Sequence, residues 1–344
     1  MSILFKIVCF TEIFVILHSV MTPLQNIRRS LEPRLDRLHA VIVDALSSSN
    51  PLMNRVTGHY LSHRGKELRP IMAMLTADML GEKPVYDTVI PAAAIEILHN
   101  ASLIHDDVVD NSDTRHGLDT INAVWDNHIA VLVGDFFVSR ALSLASSVRD
   151  LRVVDTLAGL GALLSLGEMD QLDNAREHSL TEQGYFDIIT HKTASLFVAC
   201  VEVGAYSVGV TDSRLDTLRQ FATVFGQCFQ ITDDIFDYYP SDKLGKPTGN
   251  DLREGKVTLP LLCALASGHP EAPAMREMLH NDMLSDTQIA TLIDFAVRAG
   301  GIDRAREKLH ALRDEGHRLA SAIAPGLSPN PLSVLLDFVI ERES

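Results

Sequence analysis

AAAIEILHNASLIHDDVVD, residues 92–110, decides the reading of this chain. It follows Pro91 as one helical stretch and runs into Asp106-Asp107-Val108-Val109-Asp110, where Asn111, Ser112, Asp113 and Gly117 break the pattern. A second copy of the acidic pattern, Asp233-Asp234-Ile235-Phe236-Asp237, closes another long apolar run just before Pro240. In each copy the first and last Asp are four apart, so a helix projects both carboxylates from one face. Like charges so placed repel, and near a helix C-terminus they also oppose the macrodipole. Local rules tend to be broken at functional sites. A hard divalent cation removes the conflict, and Mg²⁺ typically takes one or two carboxylates, some waters and the oxygens of a substrate phosphate. Two facing acidic helix ends would clamp a diphosphate through bridging metal ions. A solvated acidic helix end explains one such cluster as well as a metal site does, but it explains two far less well.

Outward from these motifs the chain keeps a helical period. Helices are predicted over about 23–46, 53–61, 68–80, 92–110, 128–147, 153–172, 185–206 and 215–239, with a Gly- and Lys-containing loop over 241–255 and smaller helices to the end. No alternating run bounded by turns demands a sheet, and no Gly/Ser/Pro linker divides the chain. One all-α domain, a multi-helix bundle over residues 21–344, is the economical reading of the 344-residue chain.

Composition narrows the function further. A formal net charge of −15 argues against a sequence-independent grip on nucleic acid, which needs basic surface. Cys9, Cys200, Cys228 and Cys263 show neither metal-ligand spacing nor a secretory disulfide framework, which favours a reducing cytoplasm. The first twenty residues are apolar but contain Lys6, Glu12 and His18, and lack a basic start and a small-residue cleavage site. They read as a dispensable or mis-assigned extension before a start at Met21, and no convincing membrane span follows.

Cations complete the constellation. Arg64, Lys66 and Arg69 lie in Ser62-His63-Arg64-Gly65-Lys66-Glu67-Leu68-Arg69-Pro70, at the start of a helix where free N–H groups and the dipole favour an anion. Read alone, the stretch is equally an ordinary exposed basic loop. Arg115 follows the first Asp motif, and Lys246 and Lys256 follow the second. Charge balance around a metal-bound diphosphate requires such residues.

These residues resemble the trans-type isoprenyl diphosphate synthases, and within them the bacterial long-chain, octaprenyl-like polyprenyl synthases. The resemblance runs from about residue 24 to near the end. It rests on Gly65-Lys66-Glu67-Leu68-Arg69-Pro70, the 103–110 segment, Val133-Gly134-Asp135, Gly167-Glu168 with Gln171, Lys192-Thr193-Ala194, the 229–237 segment, Gly245-Lys246, 249–252 and 255–260, all in family order. It implies the orthogonal helical bundle of the isoprenoid synthase type, with a central substrate cavity, working as a homodimer. It also implies head-to-tail condensation, in which an allylic diphosphate ionises and is attacked by the double bond of isopentenyl diphosphate. By resemblance Asp106, Asp110 and Asp233 are the principal Mg²⁺ ligands, supported by Asp107, Asp234 and Asp237. Arg115, Lys192 and Lys256 hold the allylic diphosphate with Lys246 nearby, and Lys66, Arg69 and His99 hold isopentenyl diphosphate. The oxygens of Thr193 and Gln230 face the developing allylic cation, a role that requires preorganisation. No side chain is an obvious general base, so released diphosphate takes the final proton. Without the resemblance, His99 reads as a core histidine, Gln230 as a buried amide and Thr193 as a hydroxyl bonded back to its own helix.

One departure stands out. The family usually has two arginines after the first motif, and this chain has Arg115 and His116. By resemblance the second contacts isopentenyl diphosphate, so binding is expected to weaken as pH rises through the His116 pKa. Product length follows from geometry: Ala101 and Ser102, one turn below Asp106, are small, whereas family members with bulky aromatics there make short products. At a rise of about 1.5 Å per residue the groove continues past Leu98 towards Ala94, room for a product of more than about twenty carbons. Phe136 or Phe137 would form its floor, and Ala101→Phe is expected to shorten the product. Membrane contact would be transient, to deliver that product. Three other readings compete. A class I terpene cyclase is disfavoured by the second Asp motif with Lys66 and Arg69. A non-catalytic subunit of a heteromeric prenyl synthase is disfavoured by two intact Asp motifs. A helical metal-binding scaffold leaves the cations, Thr193 and Gln230 unexplained.

Overall fold

Caps and prolines start the helices that apolar periodicity then sustains. The computed structural model describes residues 23–62, 65–81, 83–115, 117–177, 181–239, 248–281 and 283–342; the 1–20 extension, Arg64, His116 and Lys246 lie outside them. Helix α1 (Pro23–Ala45) is followed by α2 (Pro51–Tyr60), where the Asn50 side chain accepts from the N–H groups of Leu52 and Met53 and Pro51 takes the first position. Helix α3 (Leu68–Leu80) ends at Gly81 in the left-handed conformation, and α4 (Val89–Val109) carries the first Asp motif. A two-residue antiparallel ladder follows, β1 (Thr114–Arg115) against β2 (Leu118–Asp119) with Arg115 opposite Leu118, then the short α5 (Ile121–Val124). Next come α6 (Asn127–Ser147), capped by Asp126, α7 (Leu151–Glu177) and α8 (Glu182–Ile189), capped by Thr181. After a π turn at Thr190–Ala194 the chain continues as α9 (Ser195–Ser207) and α10 (Ser213–Phe236), the latter carrying the second Asp motif. The remainder is α11 (Asn250–Arg253), α12 (Leu259–Leu265), α13 (Ala272–Met278), α14 (Asp286–Arg298), α15 (Gly301–Ile323) and α16 (Pro331–Glu341). Ser285 and Gln288 form a capping box on α14.

The expected all-α bundle is present. Helix α9 is its centre, packed against α3, α4, α7 and α10, while α4 also lies along α6 and α10 along α15. One hydrophobic core extends from Leu31 to Val339, with Phe137, Phe197, Phe221, Phe225 and Phe295 fully buried. Its aromatic seam includes Phe197 and Phe225, ring centroids 4.7 Å apart. Because α4 and α10 both pack on α9, their acidic C-terminal ends are held at fixed positions relative to one another.

One predicted element is corrected. The apolar pattern over 185–206 reads as a continuous helix, but five residues, Thr190–Ala194, form a π turn. Among the described residues, 127–147 and 182–207 are the two stretches long and apolar enough to cross a membrane; the second is mostly interior, and the first is α6, which leaves Val131, Leu132 and Leu142 exposed.

Candidate active site

The first Asp motif sits at the end of α4, with Asp110 as its C-cap. Asp107 points inward, 3 % exposed, and accepts a hydrogen bond from Arg115 Nε at 2.8 Å. The loop that brings Arg115 back is held by Thr120 and Asn122, which both donate to the Ser112 carbonyl, at 2.7 and 2.9 Å. Asp106 lies beside Lys192, Glu168, Asp110 and Arg115, and burial pushes its carboxyl up to about 6 despite the opposing pull of Lys192. Asp110 accepts from Lys256 Nζ at 3.3 Å, and the same ammonium reaches Glu254 at 2.6 Å. Lys256 follows the second motif in sequence, so this contact joins the two motifs at one mouth.

The second motif ends α10 and is satisfied differently. Asp234, also 3 % exposed, accepts from the Tyr185 hydroxyl at 2.5 Å and from Gln230 Nε2 at 2.8 Å. Burial raises its pKa against the pull of those two donors. Asp237 accepts from the backbone N–H groups of Asn250 and Asp251 at 3.0 and 3.1 Å, which anchors the α11 segment to the end of α10. Burial also raises Asp251, with Asp234 and Asp237 adding to the effect. Asp233 faces the other way and accepts from Arg342 Nη2 at 2.6 Å; the same group donates to the Phe229 carbonyl at 3.2 Å, and the guanidinium lies 4.3 Å from the Phe229 ring centroid.

Between the motifs lies the π turn, which carries Lys192 and Thr193. Single π turns inside α-helices are frequent at functional sites. Two glycines give it room. A Cβ at Gly167 would lie 2.7 Å from Lys192 Cγ, and one at Gly226 only 2.3 Å from Ala194 Cα. The turn is thus gripped by α7 on one side and α10 on the other. Lys192 Nζ pairs with Glu168 and donates to Gln171 Oε1 at 3.1 Å. Thr193 donates to Gln230 Oε1 at 2.8 Å, and Gln230 passes the chain on to Asp234. This network fixes the Gln230 amide and leaves the Thr193 oxygen its acceptor lone pairs.

A second group of cations stands at the α3 entrance. Burial and Arg342 lower the pKa of Lys66, while Asp233 opposes them, which places this lysine beside the second motif. Arg69 turns inward, its guanidinium 5.6 Å from the Phe197 ring centroid, and its buried Nε has no acceptor among the described residues. Its neighbour Glu96 is likewise buried, one oxygen without a donor among the described residues, and burial raises its pKa. His99 is 8 % exposed on the same face of α4. One turn below Asp106, Ala101 is fully buried and Ser102 half-buried; Phe137 is fully buried edge-on to Tyr60 at 5.8 Å, with Phe136 partly buried beside it.

Asp106, Asp107, Asp110, Arg115, Lys192 and Lys256 are thus joined by direct contacts and charge interactions, Thr193, Gln230 and Asp234 by one hydrogen-bonded chain, and Lys66 lies near Asp233 and Arg342. Sequence reasoning missed Arg342, Tyr185 and the role of Gly226, none of which forms a local motif.

Residues 50–296 match the Polyprenyl synthetase family. The chain belongs to that family. It is 39 % identical over 240 residues to octaprenyl diphosphate synthase of Escherichia coli K12, covering 69 % of this chain and 74 % of that protein. In three dimensions it resembles a polyprenyl synthase from Caulobacter crescentus CB15, solved with calcium and isoprenyl diphosphate, at 31 % identity and a TM-score of 0.85 over 92 % of this chain and 97 % of that one. A decaprenyl diphosphate synthase from Rhodobacter capsulatus matches at 32 % identity and a TM-score of 0.85, covering 92 % and 99 %. As a polyprenyl synthetase the chain is a trans-prenyltransferase of isoprenoid synthesis, a long-chain polyprenyl diphosphate synthase.

Proposed function

We propose that this polyprenyl synthetase adds isopentenyl diphosphate to an allylic diphosphate with Mg²⁺ as the metal, as a homodimer in the cytoplasm whose catalytic unit is residues 21–344. The contact between Lys256 and Asp110 carries the reading, because it brings both acidic helix ends to one mouth. The donor set suits a hard cation. Burial pushes the Asp106 carboxyl up to about 6 despite Lys192 and Arg115 nearby, a cost that a bound cation would offset, and oxygen is the only ligand type on offer from the two motifs.

Asp106, Asp110 and Asp233 would hold the metal. Asp107, Asp234 and Asp237, engaged by Arg115, by Tyr185 and Gln230, and by backbone N–H groups, would support it while they fix the helix ends. When bound, Mg²⁺ supplies Lewis-acid stabilisation of the departing diphosphate. Arg115, Lys192 and Lys256 would take its remaining oxygens with Lys246, and Lys66, Arg69 and His99 would hold isopentenyl diphosphate with His116. The fixed Thr193 and Gln230 oxygens would face the cation that develops. Val131, Leu132 and Leu142 on α6 and Leu163, Leu166 and Met169 on α7 are exposed apolar side chains that a second copy would cover. Membrane contact would be confined to product delivery.

The product channel would pass Ser102, whose side chain is half open, rather than Ala101, which is packed on all sides. Ser102→Phe should shorten the product at little cost in stability, whereas Ala101→Phe should also lose about 1–3 kcal/mol by overpacking. Product sizing with urea titration of both variants checks this. The function itself is tested by incubating the protein with farnesyl diphosphate and labelled isopentenyl diphosphate, with and without Mg²⁺. A Mg²⁺-dependent ladder ending in one long polyprenyl diphosphate is expected. Release of diphosphate without incorporation of label would contradict it and favour a cyclase.

A further inference from the structure

Glu67 is an acid between two of the cations assigned to a diphosphate, Lys66 and Arg69, and uncompensated it would repel that ligand. It is also held at φ 57°, ψ 29°, a left-handed conformation that L side chains rarely adopt. Both features have one explanation in helix α1. Arg28 Nη2 donates to Glu67 Oε2 at 2.5 Å, and His39 Nε2 bonds the other carboxylate oxygen. Arg28 Nη1 also donates to the Lys66 carbonyl at 3.2 Å, so one guanidinium grips two consecutive residues of the turn. The Glu67 side chain is 6 % exposed and that of His39 19 %, which shields the contacts from solvent. The Glu67 carbonyl meanwhile accepts the Ile71 N–H at 3.1 Å and so opens α3. The left-handed turn sends Lys66 towards Asp233 and Arg342 while Arg69 points inward over Phe197.

We infer that Arg28, His39 and Glu67 form a clamp that neutralises the acid inside the pocket and sets the backbone turn placing Lys66 and Arg69 on the diphosphate of the homoallylic substrate. These are positioning residues; none of them touches the reacting atoms. The inference rests on the assignment of Lys66 and Arg69 to isopentenyl diphosphate.

Steady-state kinetics with farnesyl and isopentenyl diphosphates test it, using Glu67→Ala, Glu67→Gly, Arg28→Ala and, as references, Lys66→Ala and Arg69→Ala. Glu67→Ala and Arg28→Ala should each raise KM for isopentenyl diphosphate about tenfold, with kcat and KM for farnesyl diphosphate within about twofold. Glu67→Gly, which adopts the left-handed turn without strain, should raise it only about threefold. Arg28 is exposed enough that its loss leaves the core untouched, so it reports on the clamp even if a Glu67 variant folds poorly. If the two reference variants raise this KM while Glu67→Ala and Arg28→Ala do not, the clamp is overturned and the pocket assignment stands. If the reference variants also leave it unchanged, both fall. Equal losses for both substrates would reduce the clamp to a general stabilising contact and overturn it.

Discussion

The two Asp motifs share one sequence pattern, yet the protein satisfies them by opposite means. At the end of α4 the middle aspartate, Asp107, is met by the charge of Arg115, and Asp110 by Lys256. At the end of α10 the corresponding Asp234 is met by neutral donors, Tyr185 and Gln230, and Asp237 by backbone N–H groups, and the one cation there, Arg342, pairs with Asp233. The first motif is thus balanced by cations that a diphosphate can recruit. The second is built as a rigid frame whose hydrogen bonds reach, through Gln230, to Thr193 on the π turn. Equal spelling does not mean equal surroundings: the last two aspartates of one motif are held by side-chain cations and those of the other by neutral donors and backbone N–H groups.

Stability should separate the two most strongly. Asp234→Ala leaves the buried Tyr185 hydroxyl and Gln230 amide without an acceptor and should cost about 3 kcal/mol. Asp107→Ala frees an arginine whose side chain is 31 % exposed and can turn to water, and should cost about 1 kcal/mol. Urea titration measures both, and equal losses would erase the distinction. A smaller effect probes the frame without touching a polar group. Gly226→Ala drives a Cβ against Ala194 and should lose about 2 kcal/mol. Because the π turn must shift, kcat should also fall about tenfold with KM for isopentenyl diphosphate unchanged, whereas a purely structural glycine would leave kcat intact.

The mildest test is pH. Burial raises the Asp106 carboxyl from its ordinary value to about 6, so the folded chain binds this proton more tightly than the unfolded chain. Its contribution to stability therefore falls as pH rises from about 4 to about 6 and is flat above. Metal binding runs the other way, since the cation needs the charged form. The apparent Mg²⁺ affinity should weaken by up to about tenfold per unit as pH drops below 6, read from Mg²⁺ titrations between about pH 5 and 8. Affinity independent of pH over that range would remove Asp106 from the metal's ligands.

Much of this was legible in the sequence. The periods marking 68–80 and 128–147 as helices meet observed helices Leu68–Leu80 and Asn127–Ser147, and the placing of both Asp motifs at helix ends follows from the turn residues behind them. Local signals sufficed because each helix buries its own apolar stripe. The π turn was not legible, because one extra residue barely disturbs the apolar pattern from Tyr185 to Tyr206, and its cause is the approach of Gly167 and Gly226 from helices far away in sequence. Nor was Arg342, a lone arginine that reaches Asp233 across 109 residues. Glu67 reads as one more charge in a basic loop until α1 is seen to hold it.

Both motifs are proposed to act on one metal-bound diphosphate. The most direct measurement is a double-mutant cycle on binding of an inert farnesyl thiodiphosphate with Mg²⁺, using Asp106→Ala, Asp233→Ala and the pair, by calorimetry. One shared site predicts that each single change weakens Kd strongly and that the pair is little worse than either, a coupling of about 2 kcal/mol or more. Losses that simply add would mean two independent acidic sites and would contradict the account.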